Sequence, residues 1–295
     1  MTPVYVLDLR EQEVGGAVTS GHLFVADDQG LWDADGEGLA AFSSLTRGRD
    51  ILVLLHGYNN TRNVGREALL RFARFLDTAG VTALMLAVLW PGDGWAKALT
   101  YPAEGKDADD SAESLVAWLQ THADGTARIS LVAHSLGCRV AMVTALRFAE
   151  WAGPGIATLG RVCLMAPAID NDSLGRTGST CYRGGTLALE QLAVLASAED
   201  RVLKYAYPIG DLAQTILYFG DRWGTALGRT GPVERDPAVL AKLEAIPLSH
   251  PRREVDHGDY LGVRDHDATH TIADADAFVA SFLRAAPPHV WTATR

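Results

Sequence analysis

The apolar run 129–132 passes into a helix-like stretch over 136–151, and the junction reads Ala133-His134-Ser135-Leu136-Gly137. A serine on so sharp a strand-to-helix turn needs very small residues two positions before and after it, because their Cα atoms crowd the strained backbone. Ala133 and Gly137 meet that need. Glycine is usual at the first position, and Ala133 adds one methyl group to it. The same letters suit a serine that merely caps a helix after a buried strand, so the junction needs partners elsewhere before it means nucleophile.

The rest of the chain supplies the setting. Its 295 residues, 48% of them hydrophobic, suffice for one large core, and a single domain over 1–295 is expected. Short apolar runs at 50–55, 83–90, 129–132, 161–166 and 192–197 alternate with helical patterns at 63–79, 109–120 and 136–151 and around 186–191. That alternation predicts a mostly parallel central sheet with helices on both faces. Runs 4–9 and 22–26 read as a leading antiparallel edge hairpin, and 272–285 as a closing helix. Helix 63–79 carries apolar residues at Val64, Ala68, Phe72, Phe75 and Leu76; helix 109–120 carries Ala112, Leu115, Val116 and Leu119 on one face.

Charge and cysteine content narrow the partners. With 26 basic against 36 acidic residues the chain carries −10, which argues against nucleic acid. Cys138, Cys163 and Cys181 are few and odd in number, which suits a reducing compartment. The opening MTPVYVLDLR has no long apolar stretch, so neither a signal peptide nor a membrane span is expected, and the location expected is cytoplasmic. No Walker loop, GxGxxG or paired CxxC occurs, and no cofactor or metal is expected.

In an open α/β sheet the site is built by loops at the carboxyl ends of the strands. Directly after Leu55 comes His56-Gly57-Tyr58-Asn59-Asn60. Acyl transfer through a serine needs two backbone N–H groups aimed at the developing oxyanion. Leu136, after the serine, offers one; the turn at Gly57 points to Tyr58 for the other.

The segments VLLHGYNNT, LVAHSLGCRV and VDHGDYL resemble the α/β-hydrolase superfamily, and within it a bacterial group of uncharacterised serine hydrolases. The resemblance runs from Ile51 to the C-terminal helix. It implies the chain order nucleophile, acid, histidine, with the acid after the second strand beyond the elbow and the histidine in a late loop. Ser135 then takes the nucleophile position and Asp200, in Ser197-Ala198-Glu199-Asp200, the acid position. Glu199 and Asp170 remain alternative acids. Among the late histidines His250, His257, His266 and His270, the best fit to the base position is His257, followed by a small residue. His266 and His270 stand four apart, yet no further metal ligands accompany them. His56 and His134 read as supports for the loops. Trp90, Trp95, Tyr218 and Trp223 are candidate pocket residues, and a small lid insertion is expected over about 205–231. The function expected is hydrolysis of a small or medium-sized carboxylic ester through an acyl-enzyme. A thioesterase or amidase of the same mechanism, or a ligand-binding protein on the same fold, is the alternative.

Overall fold

The computed structural model describes residues 2–28, 30–34, 36–92, 101–151, 157–176, 181–205, 225–247, 255–261 and 273–285. Its strands are β1 (Val4–Arg10), β2 (Val18–Ala26), β3 (Leu31–Asp33), β4 (Asp50–Leu55), β5 (Leu84–Leu89), β6 (Arg128–His134), β7 (Thr158–Met165), β8 (Gln191–Ala196) and β9 (Leu243–Pro247). They form one sheet in the order β3-β2-β1-β5-β4-β6-β7-β8-β9. β1–β2 and β2–β3 are antiparallel, and the remaining pairs are parallel. The leading hairpin is therefore present but not at the edge: β1 also pairs with β5, and β3 closes that side.

Parallel neighbours need crossovers, and helices supply them. α2 (Arg62–Thr78) joins β4 to β5, α3 (Tyr101–His122) joins β5 to β6, α4 (Gly137–Trp151) joins β6 to β7, and α5 (Arg183–Ala188) joins β7 to β8. Right-handed crossovers put α2 on one face and α3, α4 and α5 together on the other, and these three do pack side by side. The chain leaves β4 toward one edge and β6 toward the opposite edge, so the loops that follow these two neighbours diverge and open a crevice between them.

The inner strands are apolar on both sides: Ile51 to Leu55 and Leu84 to Leu89 are all buried. α2 buries Gly65, Ala68, Leu69, Phe72, Ala73 and Leu76, whereas the apolar residues Val64 and Phe75 are 48% and 37% exposed. Both faces of that helix carry apolar residues, so periodicity could not choose between them. Thr61 caps α2 by accepting the Val64 N–H, and the chain turns out of the helix at Gly80, with φ of 82°. α1 (Gly36–Thr46), α6 (Arg201–Tyr205), α7 (Leu227–Thr230), α8 (Pro237–Leu240) and α9 (Ala273–Leu283) complete the described helices. Among the described residues no helix is long and apolar enough to cross a membrane.

Candidate active site

Register sets the height of each loop. Leu55 pairs with Ala133, so His56 and His134 emerge side by side at the carboxyl ends of β4 and β6. His134 in turn pairs with Met165, and the Ser135 N–H donates to the Met165 carbonyl at 2.9 Å. Ser135 adopts φ of 54°, a left-handed conformation that costs a side-chain-bearing residue on the order of 1–2 kcal/mol. Its carbonyl accepts from the Cys138 and Ala168 N–H groups at 3.0 and 3.2 Å, which holds the turn in place.

Close packing explains the small residues around the turn. A methyl group on Gly137 would lie 2.2 Å from the His56 carbonyl oxygen, and one on Gly57 would lie 2.9 Å from the Ser135 Cβ. The HG loop thus rests directly on the elbow. Ala133 is fully buried at the end of β6.

Asp200 and His257 reach Ser135 from two further loops. Asp200 precedes α6 and is wholly buried; its Oδ1 accepts the Leu203 N–H at 2.8 Å as an N-cap, which leaves Oδ2 facing His257. His257 Nδ1 lies 2.7 Å from Asp200 Oδ2, and its Nε2 lies 2.7 Å from Ser135 Oγ. A carboxylate accepts, so Nδ1 carries the proton and Nε2 is open to accept from the serine hydroxyl. Serine, imidazole and carboxylate form one hydrogen-bonded line.

Of the alternative acids, Glu199 has another partner. The Glu199 carboxylate accepts the Val255 N–H at 3.0 Å, and the main chain of Asp170 pairs with that of Ala226. Of the late histidines only His257 falls within the described residues; His250, His266 and His270 lie outside them. Trp95, Tyr218 and Trp223 also lie outside the described residues, as does most of the expected lid. Trp90 is given other work than lining a pocket. It is fully buried, its indole N–H donates to the His56 carbonyl at 2.9 Å, and its ring stacks on His56 at 5.6 Å.

His56 and His134 are buried and neutral. His56 Nδ1 donates to the Gly57 carbonyl at 2.8 Å while Nε2 accepts the Trp90 N–H at 3.2 Å, and burial pushes its pKa down to about 4. Burial, with the nearby His257 ring, pushes His134 down to about 3. Both are therefore uncharged at neutral pH.

Two supports escaped sequence reading. Buried Arg10, at the end of β1, donates to the carbonyls of Asn60 at 2.9 Å, Glu13 at 2.9 Å and Trp90 at 3.3 Å. The Asn60 amide donates to the carbonyls of Gly57 and Tyr58 at 2.9 and 3.2 Å, which fixes the loop that carries the Tyr58 N–H. An arginine closing an apolar strand was the only visible signal for the first, and Asn60 had none.

A cavity of about 370 Å³ lies at the other end of the sheet, among Asp50, Arg128, Ser130, Arg161 and Arg284. It touches the N-terminal ends of β4, β6 and β7 and takes no part in the Ser135 site.

Several solved structures align with this chain at low identity. A putative dienelactone hydrolase from Klebsiella pneumoniae is 11% identical, with 96% of this chain and 99% of that chain covered at a TM-score of 0.49. An esterase from Pyrobaculum calidifontis is 13% identical over 81% of this chain and 77% of its own, at a TM-score of 0.42. No curated protein matches the sequence significantly. Residues 34–215, more than half of the chain, match the family described as "Alpha/beta hydrolase of unknown function (DUF900)", and with the sheet order and crossovers described above the chain belongs to that α/β-hydrolase family.

Proposed function

We propose that this protein is a serine hydrolase that cleaves a carboxylic ester through an acyl-enzyme intermediate. The observation that carries the reading is the continuous line Ser135 Oγ, His257, Asp200, with both links at 2.7 Å, starting from a strained elbow at the carboxyl end of β6. A serine hydroxyl becomes a useful nucleophile only when a base removes its proton as the new bond forms. His257 Nε2 takes that proton while Oγ adds to the ester carbonyl carbon. Asp200 keeps the ring in the Nδ1–H tautomer and stabilises the imidazolium.

The carbonyl oxygen, now negative, is received by the N–H groups of Leu136 and Tyr58, which cost no reorganisation because their loops are already held by the elbow and by Asn60. Collapse of the intermediate breaks the bond to the alkoxy oxygen, which leaves as the alcohol with the proton from His257. Water repeats the sequence on the acyl-enzyme, giving up a proton to His257 and releasing the acid. His56 and His134 are neutral and already engaged in backbone contacts, so neither competes as base. The buried thiols do not compete either, since burial pushes Cys138 and Cys163 up and leaves them protonated.

The test is covalent labelling. A fluorophosphonate should modify wild type at Ser135 and leave Ser135→Ala unmodified, and p-nitrophenyl esters of rising acyl length should be turned over only by wild type. A folded wild type that neither labels nor turns over any ester would overturn the reading.

A further inference from the structure

His134 stands where the three loops meet. Its Nε2 lies 2.9 Å from the main-chain carbonyl oxygen of His257. That oxygen can only accept, so His134 is the Nε2–H tautomer and donates. The opposite edge of its ring faces the HG loop, for a methyl group on Gly57 would lie 2.7 Å from Nδ1. The ring packs 4.9 Å from the His257 ring and 5.6 Å from that of Tyr260. One buried imidazole, covalently next to Ser135, thus touches both the loop that carries the Tyr58 amide and the residue read as base.

A second hold comes from the acid loop. The buried Ser197 hydroxyl donates to the Val255 carbonyl at 2.8 Å and accepts the Glu199 N–H at 3.2 Å. The Glu199 carboxylate accepts the Val255 N–H at 3.0 Å. Both polar main-chain groups of Val255 are therefore gripped by the loop that presents Asp200. Within the turn, the His257 N–H donates to Asp256 Oδ1 at 2.8 Å and the Asp256 N–H to Asp259 Oδ2 at 2.9 Å.

These contacts matter because of where tolerance is lost. The two bonds of the His257 ring stay short only if its Cα is placed to within about 0.5 Å. Residues 255–261 lie outside every strand and helix, so no ladder of main-chain bonds fixes them. We propose that His134 is a positioning residue for His257, acting with Ser197 as a two-sided clamp that holds the histidine segment against the elbow on one side and against the acid loop on the other. The inference rests on the reading of His257 as base for its kinetic consequence, but its structural consequence stands apart from turnover.

Three variants test it: His134→Phe keeps a ring and loses the donor, His134→Gln restores an N–H donor of similar reach, and Ser197→Ala removes the second hold. The readouts are kcat and KM on a p-nitrophenyl ester, the strongly downfield imidazole proton expected for Nδ1–H bonded to Asp200, and thermal unfolding. His134→Phe should lower kcat roughly 10- to 100-fold with little change in KM, and should broaden or erase the downfield proton. His134→Gln should recover most of both, and Ser197→Ala should move both in the same direction by less. A folded His134→Phe with wild-type kcat and downfield proton overturns the clamp, as does a folded His134→Gln that recovers neither. If wild type turns over no ester, the ester reading fails while the downfield proton in the same variants still decides the clamp. If His134→Phe does not fold, Ser197→Ala decides, and an unchanged downfield proton and kcat in it overturn the clamp.

Discussion

At the N-terminal ends of β4, β6 and β7 the polar side chains are ionic and wet, whereas at the carboxyl ends of the same strands they are mostly neutral and dry. Arg128 bonds Asp50 at 2.7 Å and Glu190 at 2.9 Å, and these three side chains are 38–44% exposed beside an open cavity. His56, His134, Ser135 and Asp200 are all buried, and among them and His257 the one close pairing of an acid with a base is Asp200 with His257. Water screens the first set, so each pair contributes little. Nothing screens the second, so every hydrogen bond there orients something and every lost one leaves a polar group unsatisfied.

Removing the charge of Asp200 should break the dry end most severely. Asp200→Asn keeps the shape but favours the wrong His257 tautomer, and kcat should fall on the order of 10⁴-fold, by the magnitude known for the same change in serine proteases. Steady-state turnover of a p-nitrophenyl ester checks this; a near-normal rate would remove Asp200 from the role of acid.

Acid comes next in size. His56 and His134 are held below the ordinary imidazole value of 6.5, at about 4 and about 3, by burial. Between those limits the unfolded chain binds the extra protons and the folded chain does not, so stability is complete above about pH 6.5 and is lost as pH falls toward about 4. The loss should be on the order of 3 kcal/mol per ring. Urea midpoints measured down this range should fall steeply in wild type and less steeply in His134→Phe. Identical slopes in the two proteins would mean that His134 does not hold its proton off.

The wet end should yield least. Arg128→Ala deletes two ion pairs, yet the expected loss is about 1 kcal/mol or less, shrinking further at high salt, with ester turnover unchanged. A large loss of stability, or a change in kcat, would erase the contrast between the two ends of the sheet.

Much of the fold could be read from the chain because its inner strands are continuous apolar runs and its long helices end in glycine or a polar cap. β4, β5, β6, β7 and β8 lie within a few residues of the expected runs. β3 has only three residues, and β9, Leu-Glu-Ala-Ile-Pro, neither alternates nor runs apolar; both were invisible, as was α1 with its glycines at 36 and 38. At the site, Ser135 could be named because a strained elbow demands particular small neighbours at fixed spacing. Asp200 and Glu199 could not be separated by chemistry, since both are carboxylates in one loop. Their difference is directional, because the N-cap bond to Leu203 turns Asp200 inward while Glu199 reaches Val255. Trp90 could not be placed either, because an aromatic residue ending a buried strand reads the same whether it faces a substrate or wedges beneath a loop. Arg10 and Asn60 act on carbonyl groups of distant loops, and main-chain acceptors carry no sequence signature.

Ser135 and His257 are separated by 122 positions in the chain, and Asp200 and His257 by 57. Neither contact can form while only part of the chain has found its place, so under the proposed mechanism the hydroxyl stays as inert as any free serine until β6, β8 and the late histidine segment have come together. Reactivity toward a fluorophosphonate therefore doubles as a census of finished molecules. In a refolding experiment the labelled fraction should trail the recovery of secondary structure and coincide with the last tertiary event, giving this chain a built-in stopwatch for its own completion.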